Sequence, residues 1–71
     1  MFVIKNFAND TICSSVNELK EKLVNNYNNC SVAIQHNSNN SNLTLIKFVC
    51  IRNGIVYNSY GDEKEFDFTI L

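Results

Sequence analysis

The apolar positions of the chain fall into short alternating runs and one run of helical period. "MFVIKNF" (1–7) sets Phe2 and Ile4 against Val3 and Lys5, the period-2 signature of a strand. "AND" (8–10) is a turn signal, and "TIC" (11–13) reads as a brief second strand. From Ser15 the period changes. Val16, Leu19, Leu23 and Tyr27, with Val24 beside them, lie on one stripe of a helix of about three turns. Ser15 and Glu18 have capping-box spacing, in which each side chain satisfies the other's orphan amide. Glu18 and Lys22 are spaced as an i,i+4 ion pair, and Asn28 and Asn29 tolerate the left-handed backbone that ends helices.

The second half is strand-like. "CSVAIQH" (30–36) turns Val32 and Ile34 inward, and "NSNNSN" (37–42) is a polar hairpin connection. "LTLIKFVCIRNGIVYNSY" (43–60) then carries Asn53-Gly54 between two apolar runs, the signature of a type I′ hairpin. A two-residue loop fixes the register: Arg52 opposite Ile55, Cys50 opposite Tyr57, Val49 opposite Asn58. "GDEKE" (61–65) is a charged turn, and "FDFTIL" closes the chain as a strand with Phe66, Phe68 and Ile70 inward. The expected fold is α+β: a single helix packed on a four- to five-stranded, mainly antiparallel sheet, in the order β(β)αββββ, forming one domain over residues 1–71.

That hairpin raises a question of coverage. One face carries Leu43, Leu45, Val49, Ile51, Val56 and Tyr60; the other carries Ile46, Phe48, Cys50, Ile55 and Tyr57, with Arg52 at its end. A ribbon apolar on both sides belongs inside a sheet that is covered twice. One three-turn helix covers one face. The aliphatic set matches Leu19 and Leu23 in character and is assigned to the helix side. Three arrangements then shelter the other set: the sheet curls on itself, loops fold over it, or another molecule meets it.

Composition changes this picture in a few places. Asn, Ile, Lys, Phe and Tyr, with AT-rich codons, make up 33 of the 71 residues, and Gly, Ala, Arg and Pro make up 5. The thirteen asparagines therefore follow from an AT-rich coding sequence rather than from a polar code. The net charge of −1 and six scattered Lys/Arg give no basic footprint for nucleic acid. No secretory signal and no membrane-spanning apolar run are read, so a cytoplasmic setting, that of the host for a viral protein, is expected. Cys13, Cys30 and Cys50 then read as reduced thiols, with no Cys-x-x-Cys or Cys/His knuckle for zinc.

Catalytic chemistry is hard to build. His36 is the single histidine and reads as an exposed loop residue at the end of its strand. Gly54 and Gly61 sit in turns, so no phosphate loop is present, and no cofactor is expected. Asp62, Glu63, Glu65 and Asp67 cluster in a turn, where a solvated surface or docking to a basic patch on a partner are the two readings.

The expectation is a non-catalytic protein-interaction module, an inhibitor or adaptor, forming a homodimer or occupying a protein partner's surface. Partner-binding residues are expected at Phe48, Arg52, Tyr57, Tyr60, Asp62, Glu63 and Glu65, since aromatics and arginine concentrate at the energetic centres of interfaces. Small size and AT-rich coding suit an accessory, anti-defence protein of a phage or mobile element. The alternative is a small nucleic-acid-binding module using an aromatic sheet face.

Overall fold

A computed structural model describes residues 1–7, 9–37, 44–59 and 64–71. Two strands, β1 (Phe2–Asn6) and β2 (Asn9–Cys13), precede the helix α1 (Val16–Asn26); β3 (Ser31–Asn37), β4 (Thr44–Arg52) and β5 (Ile55–Asn58) follow it. They form an antiparallel sheet in the order β2-β1-β3-β4-β5, with α1 on one face. This is the expected α+β fold.

Strand parity decides what is buried. Phe2 and Ile4 of β1, Cys13 of β2, Val32 and Ile34 of β3, Val49 and Ile51 of β4, and Val56 of β5 all point to the helix side. Leu19, Leu23 and Tyr27 come down on them from α1, and Val16 and Val24 pack at the margin. The Tyr27 hydroxyl meets Thr11 Oγ1 at 2.7 Å, so the polar end of this buried ring is satisfied. Leu45, expected in this core, remains 45% exposed near the start of β4. Leu43 and the connection over 38–42 lie outside the described residues.

The helix starts where the sequence placed it, with a different partner for its acid. Ser15 Oγ accepts from the Glu18 amide at 3.1 Å, as an N-cap should. Glu18 does not return to Ser15 or reach Lys22 as an ion pair. Its Oε2 accepts from the Ser14 hydroxyl at 2.8 Å and the Ser14 amide at 3.3 Å. These bonds hold the Glu18 carboxyl below its ordinary range. The stability they contribute is therefore present above the unfolded carboxylate pKa and is lost as pH falls through the lowered one.

The β4–β5 hairpin has the expected register, with Arg52 opposite Ile55 and Cys50 opposite Tyr57. Asn53 and Gly54 both take positive φ, 53° and 78°, as a type I′ turn requires. The Gly54 amide also donates to Asn28 Oδ1 at 3.0 Å, which ties the turn to the end of the helix.

The C-terminal segment departs from the expected full strand. It runs beside β5 through the Phe66 amide to the Val56 carbonyl (2.8 Å) and an isolated Tyr57–Glu65 bridge, then turns into a short 3-10 helix, η1 (Phe68–Ile70). Asp67 causes the turn: its Oδ1 accepts from the Thr69 amide at 3.0 Å and the Thr69 hydroxyl at 2.6 Å, a local competitor of the ladder. Phe66 is buried, Phe68 is half-buried edge-on to it, and Ile70 is exposed, so the inward alternation holds for one residue.

The covered core and the open sheet face should answer differently to side-chain truncation. Leu23→Ala, at a fully buried position, is expected to cost about 2–5 kcal/mol in urea unfolding, and Ile46→Ala, at a half-exposed one, under about 1 kcal/mol. Equal losses would contradict this assignment.

Candidate functional site

The face opposite α1 follows from the same parity. Val3 and Lys5 of β1, Asp10 and Ile12 of β2, Ser31, Ala33 and Gln35 of β3, Ile46, Phe48, Cys50 and Arg52 of β4, and Ile55 and Tyr57 of β5 share it. The described strands do not curl to seal it. Phe48 and Ile46 are each 53% exposed, and Ile12 is 62% exposed. Cross-strand register makes the apolar positions neighbours: Val3 beside Ile12, Ala33 beside Phe48, Cys50 beside Tyr57. Exposed apolar groups in one contiguous patch mark an interaction surface more often than scattered ones do.

Charges border the patch in pairs. Lys5 Nζ contacts Asp10 Oδ2 at 2.8 Å, an exposed pair of small energetic value that neutralises that corner. At the other end the Arg52 guanidinium lies 4.5 Å above the Tyr57 ring, a cation–π contact worth about 0.5–1 kcal/mol at an exposed site. Glu65 bridges to Tyr57, which brings its side chain to the same face as that ring. Near the middle, Ala33 leaves a shallow cleft of about 270 Å³ between Phe7 and Phe48, with Lys5 and Ser59 at its margin.

Of the residues singled out from sequence, Phe48, Arg52, Tyr57 and Glu65 are thus brought together on one face. Tyr60, Asp62 and Glu63 lie outside the described residues. Ile12, Ile46 and Ala33 extend the patch beyond what was singled out. Ile12 was legible only through the placement of β2 against β1, because its own run was too short to show a face. Phe7, fully exposed in the β1–β2 connection, carried no periodic signal.

The remaining candidates for chemistry stay apart. His36 is not an exposed loop residue: β3 continues through it, and its ring stacks on Phe2 with centroids 4.7 Å apart. Its Nδ1 is buried without a hydrogen-bond partner. Cys13 is buried, Cys50 is half-buried on the open face, and Cys30 is exposed. Burial, then the Glu18 carboxylate, push the Cys13 thiol up, with Lys22 opposing. Among the described residues no three His, Cys, Asp or Glu side chains are placed to hold a metal, and no helix is long and apolar enough to cross a membrane. No protein-family model, curated protein or solved structure matches the chain.

Alkylation by iodoacetamide, followed by mass spectrometry, should modify Cys30 first, Cys50 next and Cys13 last, because a buried thiol of raised pKa holds little thiolate at neutral pH. Early modification of Cys13 would mean that the helix does not cover β2.

Proposed function

We propose that this chain is a non-catalytic protein-interaction module, an inhibitor or adaptor that works by seating the open sheet face on a protein surface. The observation that carries this reading is the apolar patch centred on Phe48, a residue 53% exposed on a sheet whose other face holds the core. The chemistry of the patch supports it. An interface core is apolar and aromatic with few charges, and its rim is polar. Ile46, Phe48, Cys50 and Tyr57 supply such a centre, and Lys5, Asp10, Arg52 and Glu65 supply such a rim.

Exposed rings on a sheet also suit base stacking, the alternative reading. Charge weighs against it. Lys5 is already paired with Asp10, so Arg52, held on Tyr57, is the main cation left on the described part of this face. A nucleic-acid surface needs several cations free to meet phosphates.

Photocrosslinking in the native cells tests the proposal. With Phe48 replaced by benzoylphenylalanine, ultraviolet light should yield an adduct with a protein. The same photoprobe at Glu21, exposed on the helix, should not yield that adduct. Absence of any protein adduct at position 48, or adducts with nucleic acid alone, would refute the proposal.

A further inference from the structure

We propose that Asn53 is a site of spontaneous covalent modification, at which water replaces the side-chain amide, and that Asn28 guards it by holding the Gly54 nitrogen. Of the thirteen asparagines in the chain, Asn53 alone precedes a glycine. It is exposed at the tip of the β4–β5 hairpin.

The reaction needs only the chain and water. The Gly54 backbone nitrogen, having lost its proton to hydroxide, attacks Asn53 Cγ. The N–Cγ bond forms and the Cγ–Nδ2 bond breaks. Nδ2 leaves as ammonia with a proton taken from water, which restores the hydroxide. A five-membered cyclic imide remains. Water then adds to one of its two ring carbonyls and opens it. Cutting the bond to Cγ leaves residue 53 an ordinary aspartate. Cutting the bond to the backbone carbonyl leaves the chain running through the side-chain carbon, with one extra backbone atom. In sum, water enters, ammonia leaves, and nothing is oxidised or reduced. Glycine is the most permissive neighbour for this attack, because no Cβ crowds its nitrogen. A type I′ turn asks for the same Asn-Gly pair on account of its positive φ, so the demands of fold and reaction coincide.

The native turn blocks the attack in two ways. Asn53 and Gly54 have φ of 53° and 78°. At the first central position of such a turn ψ is about +30°. That value sets the Gly54 nitrogen almost opposite Asn53 Cβ across the Cα–C bond, whereas ring closure needs the two on the same side. The backbone must rotate far out of the turn before nitrogen and Cγ meet. The second lock is the bond from the Gly54 amide to Asn28 Oδ1, at 3.0 Å. It holds the proton that has to leave, and it ties the nitrogen to a residue just beyond α1. Rotation at Asn53 breaks it. Reaction is therefore confined to moments when the hairpin tip opens locally.

The product alters the hairpin. A two-residue loop that gains a backbone atom no longer fits a type I′ turn, and Arg52 opposite Ile55 is the pair next to it. The new carboxylate also arises beside Arg52, whose guanidinium rests on Tyr57. Modification is a slow, one-way loosening of this end of the sheet.

Incubation of the full chain at mildly alkaline pH, followed by peptide mapping with high-resolution mass spectrometry, reads the exchange of NH2 for OH at residue 53. Unfolded in urea, the wild-type chain should react at Asn53 before any other asparagine. Folded, it should react there at least about tenfold more slowly. Asn28→Ala should speed the folded reaction about three- to tenfold, the effect of one lost hydrogen bond, and leave the rate in urea unchanged. Asn28→Asp, whose carboxylate still accepts from the Gly54 amide, should stay within about twofold of wild type. Asn28 is exposed and outside the core, and far-UV circular dichroism checks that each variant is folded. The inference is overturned if residue 53 does not convert in urea, if folded and unfolded wild-type chains convert at the same rate, or if folded Asn28→Ala reacts like wild type. Should Asn28→Ala fail to fold, Asn28→Asp decides: a folded Asn28→Asp chain that reacts as fast as the unfolded wild type overturns the guard, and one that matches the folded wild type upholds it.

Discussion

An eleven-residue helix is about 16 Å long and covers one side of a sheet, and the rest of this structure follows from that limit. On the covered side, strand parity and the α1 stripe meet in one core from Phe2 to Phe66. On the other side the same parity delivers Ile12, Ile46, Phe48 and Tyr57 with no second layer among the described residues. The chain cannot hide them by a small adjustment. A one-residue slip of β4 would expose Val49 and Ile51 in place of Phe48 and Cys50, and the Asn53-Gly54 turn holds the register against it. The open face is thus a consequence of sequence pattern, not of a loose fold.

Several contacts keep that face a defined surface. The Gly54 amide on Asn28 Oδ1 fixes the hairpin tip to the helix end. The C-terminal segment pairs with β5 and occupies its edge, which would otherwise offer free backbone groups to any strand that met it. Arg52 stacked on Tyr57 holds both long side chains close to the sheet. A surface positioned this way loses little conformational freedom when it is covered, which favours binding through a small area.

Much of this was legible in the sequence, because the strongest signals were local and physical. The helical stripe, the Ser15 cap, the Asn53-Gly54 turn and the division of the hairpin into two apolar faces all depend on residues within a few positions of one another. Competition from alternative partners, near and far along the chain, hid the rest. Glu18 found Ser14 rather than Lys22, since two hydrogen bonds from one neighbour outweigh an exposed ion pair. Asp67 and Thr69 broke the final strand with bonds that a period-2 pattern does not register. His36 was drawn into β3 by pairing with Phe2 and Leu45, partners far along the chain. At the candidate site, Phe48, Arg52 and Tyr57 could be placed on one face from hairpin parity. Ile12 and Ala33 needed the strand order, which no local signal carries.

The central claim is that the two faces of this sheet differ in their access to water. Hydroxyl-radical footprinting of the dilute protein, resolved by residue, measures that difference directly. The account predicts rapid oxidation of Phe48, Ile46 and Ile12 and strong protection of Phe2, Leu23 and Ile51. Protection of Phe48 and Ile46 to the level of Phe2 in the dilute chain would contradict it.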